Sequence, residues 1–210
     1  DRIYDDHSYF QHTSWITLTA FPSHPVFQGI TTIVYTSGCS IEAEGVLVKS
    51  SENAYSEKYD GLSIHEKGDL PACMAFLEIE KGRIFACGDK ELFDTYLSLK
   101  DNTLFAMNVF DWLAGNTDRI SRRLSDRDEA SQKIVEAESL LQLAIERGLN
   151  EILPEPVGRA ETLITEAKTL YDSYRYSDSL QKANEAKKTV ETGEEEARKM
   201  VENKVKAVQE

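Results

Sequence analysis

Cysteine is scarce in this chain of 210 residues: Cys39, Cys73 and Cys87 are an odd set without CxxC spacing. That excludes a structural zinc site and a disulfide framework, and it fits free thiols, Cys73 and Cys87 packed inside strands, in a reducing, cytoplasmic compartment. Long apolar runs are missing too. None approaches the ~20 residues that cross a bilayer, and no signal peptide opens the chain, so direct membrane insertion is not expected. Positive charge is the minority sign, with 24 Lys and Arg against 37 Asp and Glu and a formal net charge of −13. Such a surface repels phosphate backbones and anionic lipid, which sets nucleic acid aside as a partner. No Gly-x-Ser-x-Gly elbow, phosphate loop or dinucleotide fingerprint occurs, and no cofactor is expected. Asp1 stands where an initiator Met would, so a removed leader or a missing upstream segment is expected.

The acidity is uneven. Residues 1–117 hold 17 acids and 8 bases, whereas 118–210 hold 20 acids and 16 bases, the dense and nearly balanced charge of exposed helices. The hydrophobic period changes at the same place, which divides the chain into an α/β part, 1–117, and an all-α part, 118–210. In the first part, Thr31-Thr32-Ile33-Val34-Tyr35, Gly45-Val46-Leu47-Val48-Lys49, Cys73-Met74-Ala75-Phe76-Leu77-Glu78-Ile79 and Arg83-Ile84-Phe85-Ala86-Cys87 read as strands. The last two flank Glu80-Lys81-Gly82 and predict a hairpin whose turn uses a positive φ at Gly82. Residues 52–70 are polar and rich in turn formers and read as one long loop. Leu104, Phe105, Met107, Asn108, Val109, Trp112 and Leu113 mark a helix face, with Asp101 as its N-cap and Gly115 beyond its end.

In the second part, Ala130, Ile134, Ala137, Leu141 and Ala144 repeat at 4-3-4-3 spacing, and Ala160, Ile164, Ala167, Tyr171 and Tyr174 do so after Pro154-Glu155-Pro156. A third helix begins near Ser177 and carries Leu180, Ala183, Val190, Ala197, Val201, Val205 and Val208. The expectation is an antiparallel three-helix module whose last helix projects beyond its partners. Two stretches, Ala160-Glu161-Thr162-Leu163 and Arg175-Tyr176-Ser177-Asp178, resemble tetratricopeptide-like hairpins, but no fixed repeat follows, so a solenoid is not supported.

Groups with chemistry are few. Gly88-Asp89 at a strand end, with Asp101-Asn102 at a helix start, form the strongest ligand-binding candidate, because carboxylates and an amide at one edge can hold a cation, a sugar hydroxyl or a peptide. Against that stands simple capping of turn and helix by the two aspartates. His24, between Ser23 and Pro25, reads as a turn residue before a base. His65-Glu66 lies in the polar loop, His7 and His12 beside Asp5 and Asp6 have a conceivable metal spacing on an acidic, frayed N-terminus, and Cys39 lacks the setting of a nucleophile. In the third helix, Glu194, Glu195 and Glu196 are the candidate contact with a protein partner.

The words His24-Pro25-Val26-Phe27-Gln28-Gly29-Ile30, Gly82-Arg83-Ile84-Phe85, Gly88-Asp89, Leu92-Phe93, Asp101-Asn102 and Asn108-Val109-Phe110-Asp111-Trp112-Leu113 keep an order that resembles a known family. They resemble the second half of the glutamine-amidotransferase-like domains of gliding-motility transporter accessory proteins, intraflagellar-transport subunits and related archaeal proteins. The resemblance spans residues 1–117 and is strongest over 72–115. It implies a partial flavodoxin-like, class I amidotransferase-like sheet without the Cys-His-Glu machinery, hence a binding or scaffold module with no catalytic residue. It also implies a missing upstream half and sheet edges available to a second copy, so a homodimer is expected. The leading expectation is a non-enzymatic interaction or scaffold protein tied to a transporter or assembly. The alternatives are a saccharide- or peptide-binding domain at the strand-end acids, and a degenerate amidotransferase-like hydrolase.

Overall fold

Period-two burial organises the strands. The computed structural model describes residues 1–209, and its chain divides into two compact units, Asp1–Ser121 and Arg122–Glu210. The first unit contains β1 (Arg2–Asp5), β2 (Tyr9–Phe10), β3 (His12–Leu18), β4 (Ile33–Thr36), β5 (Val46–Lys49), β6 (Ala54–Glu57), β7 (Ser63–His65), β8 (Ala72–Ile79), β9 (Gly82–Cys87) and helix α1 (Asn102–Leu113). Ser14, Ile16 and Leu18 of β3 turn inward at alternate positions, whereas all four residues of β4 are buried. A strand that is buried on both faces sits at the centre of a core rather than on its rim.

These strands form three three-stranded sheets, ordered β1-β6-β7, β2-β3-β4 and β5-β8-β9. All described pairings are antiparallel. The unit is therefore mixed α/β, built from small antiparallel ladders. Helix α1 lays Leu104, Phe105, Val109 and Trp112 onto the core. Its rings meet those of β8 and β9 edge to face, with Phe76–Trp112 centroids 5.6 Å apart and Phe85–Phe105 centroids 6.0 Å apart. Arg83 of β9 closes this layer, since its guanidinium donates to the Trp112 carbonyl at 2.5 Å and lies 5.5 Å from the Trp112 ring. A cation at the last turn of a helix complements its dipole. Gly115 follows with φ 79, as a C′ residue should.

Four expectations need correction here. The β8–β9 hairpin forms, with Ile79 opposite Gly82, but Glu80 carries the positive φ (53°) and Gly82 does not. Residues 52–70 are not one loop: β6 pairs with β1, β7 pairs with β6, and Ala54 and Ser56 are buried. The N-terminus is not frayed, because Ile3 is fully buried in β1 and the buried Asp5 accepts from the His7 and Ser8 amides and from the Ser51 hydroxyl. On α1 the expected face is buried or half-buried except at its last position, where Leu113 is exposed; Asn108 on that face donates to the Val26 and Gln28 carbonyls.

The second unit is helical. Helix α2 (Thr117–Glu146) is followed by the short α3 (Leu149–Ile152), α4 (Pro154–Asp172) and α5 (Tyr176–Gln209). The stripe of Ala130, Ile134, Ala137, Leu141 and Ala144 is buried throughout, as are Ala160, Ile164 and Ala167 on α4 and Ala183, Val190 and Ala197 on α5. Helices α4 and α5 run antiparallel: Lys182 bridges Glu166 at 2.8 Å, and the Ser179 hydroxyl donates to the Ala167 carbonyl at 2.7 Å. Gly193 makes their close approach possible, because a Cβ there would stand 2.9 Å from Pro156 Cβ. Between α2 and α5 the ion pairs Lys187–Glu136 and Arg147–Glu194 advance together along both helices, so these two run parallel. Beyond Ala197 the stripe of α5 leaves this core, and Val201, Val205 and Val208 are exposed.

Candidate functional site

The three strand-end polar residues singled out by sequence do converge, and they converge on β4. One edge of that strand pairs with β3. Along the other edge, Asp101 Oδ2 accepts from the Thr31 amide at 2.7 Å, the Thr31 hydroxyl at 2.8 Å and the Thr32 amide at 2.9 Å. Two residues further on, Asn102 accepts from the Val34 amide at 2.9 Å and donates to the Val34 carbonyl at 3.0 Å. After two more, Asp89 Oδ2 accepts from the Thr36 amide at 2.5 Å and the Thr36 hydroxyl at 3.0 Å. Positions 32, 34 and 36 share one direction in a strand of period two. The three side chains thus occupy the place of a neighbouring strand, and at Val34 and Thr36 they satisfy backbone groups that burial would otherwise leave unpaired.

Each of these side chains is heavily engaged. Asp89 Oδ1 also accepts from the Glu91 amide at 2.8 Å and from the Leu92 amide, which caps the 3-10 turn Glu91–Phe93. Burial pushes its carboxyl above the usual value, against the pull of the bonds from Thr36, Glu91 and Leu92. The second Asn102 proton goes to the Tyr96 carbonyl at 3.0 Å. Asp101 makes no N-cap bond to α1; its acceptor oxygen faces the strand instead. Asp89 and Asn102 are almost fully buried. An ionised carboxylate has about four acceptor positions, and Asp89 fills them within the protein.

The other candidates are dispersed. His24 caps the 3-10 turn Pro25–Phe27, accepting from the Val26 amide at 3.5 Å, and its ring lies among Phe76 (4.7 Å) and Trp112 (5.0 Å). Burial lowers its pKa; Glu78 opposes that shift and Arg83 adds to it. A neutral imidazole among aromatic rings packs as one of them. His12 pairs with the Ser14 hydroxyl at 2.9 Å, and His65 lies in β7. Among the described residues no group of three or more metal-ligating side chains gathers. Cys39 keeps its thiol against the Gly88 carbonyl at 3.5 Å. On α5, Glu194 pairs with Arg147, Glu195 with Arg198 and Lys199, and Glu196 is exposed.

Sequence reasoning missed Tyr35. Its hydroxyl donates to the Cys39 carbonyl at 2.6 Å and lies 3.2 Å from the Cys73 carbonyl, joining two chain segments at the end of β4. The signal lay in the glycines: a Cβ on Gly38 or Gly88 would collide with this ring and its hydroxyl.

Hollows are open rather than enclosing. One of about 580 Å³ in the first unit is lined by Phe21, His24, Phe27 and Gln28. In the second unit a groove of about 1050 Å³ runs past Arg127, Val135, Leu143, Tyr171 and Lys187, and a smaller one of about 310 Å³ lies at Leu149, Ile152, Ala197 and Val201. None gathers an oriented nucleophile and base. No helix among the described residues is long and apolar enough to cross a membrane. No family model, no curated protein and no solved structure matches this chain.

Proposed function

We propose that this chain is a non-catalytic interaction module, in which the first unit is a scaffold of the amidotransferase-like kind and α5 offers the contact surface. The observation that carries this reading is the engagement of Asp89 and Asn102 with the backbone of β4, and of Asp101 with Thr31 and Thr32 just before it. To hold a ligand, Asp89 and Asn102 would have to release the buried Thr36 and Val34 amides, at about 1–3 kcal/mol for each group left unpaired. The exposed apolar residues Val201, Val205 and Val208 carry no such commitment, and the acidic Glu194, Glu195 and Glu196 precede them on the same helix. Exposed apolar residues that continue a buried stripe mark contact surfaces.

Site-specific photo-crosslinking tests this. A benzophenone side chain at Val205 should yield a protein adduct of defined mass in cell extract, abolished by Val201→Glu. The same group at Tyr59, which is 98% exposed in the first unit, should yield none. Equal labelling at both positions, or no adduct at Val205, would refute the assignment.

A further inference from the structure

We propose that the partner at the end of α5 is a second copy of this chain, paired antiparallel. This rests on the reading of α5 as a contact surface and names its occupant. Charge along the helix carries the inference. Residues 191–196 hold Glu191, Glu194, Glu195 and Glu196 and no base, whereas 198–206 hold Arg198, Lys199, Lys204 and Lys206 against the single Glu202. One segment is acidic, the next is basic, and both lie on one helix that extends from Tyr176 to Gln209. Laid head to tail across a two-fold axis near residue 200, the acidic segment of each copy faces the basic segment of the other. Laid parallel, each segment faces its own sign. Antiparallel pairing also opposes the two helix dipoles favourably.

Shape agrees with charge. Val201, Val205 and Val208 follow at i, i+4 and i+7 and form one exposed stripe. Beside it the 310 Å³ groove is floored by Leu149, Ile152, Ala197 and Val201 and rimmed by Glu194 and Arg198. Val201 belongs to both stripe and groove. A two-fold interface needs such a patch, because the same surface must serve as knob and as socket. In the pair, Val205 and Val208 of each copy enter the groove of the other, and Lys204 and Lys206 come beside Glu196 and Glu194.

Sedimentation velocity on the full chain across a concentration series is the test, with charge exchange as the decisive arm. The unaltered chain should form a dimer that weakens with added salt. Either Glu195→Lys with Glu196→Lys, or Lys204→Glu with Lys206→Glu, should raise the dissociation constant at least ~tenfold, about 1.4 kcal/mol. All four substitutions in one chain should recover part of the lost affinity, because positions 196 and 204, which face each other across the axis, again carry opposite signs. A parallel dimer would instead be tightened by either exchange, since each lowers the charge of a segment that faces its own sign. Val205→Glu should give monomers with unchanged helicity, because Val205 is 52% exposed and lies outside the core of its own unit. A monomer at every concentration overturns the inference. If a monomer still yields the Val205 adduct with a different protein, the reading of α5 as a contact surface survives; without any adduct, both fall.

Discussion

Replacing Asn102 with leucine removes the centre of the side-chain edge along β4 at nearly constant volume. Asn102 is fully buried and makes three hydrogen bonds, from the Val34 amide and to the Val34 and Tyr96 carbonyls. Leucine fits the space and leaves the Val34 amide and carbonyl without a partner, while the Tyr96 carbonyl keeps the Leu99 amide at 3.2 Å. At about 1–3 kcal/mol for each of these two unpaired buried groups, with part recovered by relaxation, the loss should come to about 3 kcal/mol. That is a large fraction of the roughly 5–15 kcal/mol that holds a domain together. Both tryptophans of the chain, Trp15 and Trp112, lie in the first unit, so tryptophan emission during urea unfolding follows that unit alone. The urea midpoint should fall steeply while helical circular dichroism from the second unit keeps its own transition. Asn102→Asp should be worse at neutral pH, since it turns both donors into a charged acceptor facing two carbonyls. Part of its stability should return in acid, when the carboxyl regains one proton to donate. A loss below ~1 kcal/mol for Asn102→Leu would refute the assignment of this edge as structural.

Two further outcomes concern the buried protons around Tyr35. Burial pushes the Cys87 thiol up to about 12 and the fully buried Cys73 thiol well above its ordinary value, so a disulfide reagent at pH 8 should titrate at most one thiol rapidly, the half-buried Cys39; three fast equivalents in the native protein would contradict this. Stability should also decline in alkali: between pH 9, the ordinary thiol value, and about 12, the unfolded chain releases protons that folded Cys87 retains, and Tyr35 and Cys73 shift in the same direction. The stability these groups contribute is thus complete below pH 9 and is lost as the pH rises through that window, so an unchanged urea midpoint between pH 8 and 10.5 would overturn the linkage.

What was legible in the sequence is what neighbours decide. The 4-3-4-3 stripe from Ala130 to Ala144 needs only the helical period, and its burial follows from it. The β8–β9 hairpin was legible for the same reason, although the left-handed residue moved from Gly82 to Glu80. Long-range partnership was not legible. Asp101 precedes a helix, and the local rule makes it a cap; its actual partners, Thr31 and Thr32, lie 70 and 69 positions upstream. Asp89 does both, capping its own turn through Oδ1 while holding Thr36 through Oδ2. The frayed N-terminus and the loop at 52–70 failed together, because β1 and β6 are strands only by virtue of each other. Local rules gave no sign of backbone partners 53 to 70 positions away.

That separation along the chain has a kinetic consequence. Asn102 meets Val34 only after a loop of 68 positions has closed, and Asp89 meets Thr36 across 53. In the second unit the ridge between α4 and α5 zips from a turn of three residues, Ser173 to Arg175. Domains rich in local contacts collapse in microseconds to milliseconds, whereas distant pairings wait for entropy-costly closures. The helices are therefore complete while β4 still has an open edge, and for that interval the most exposed thing about this protein is a strand looking for a neighbour.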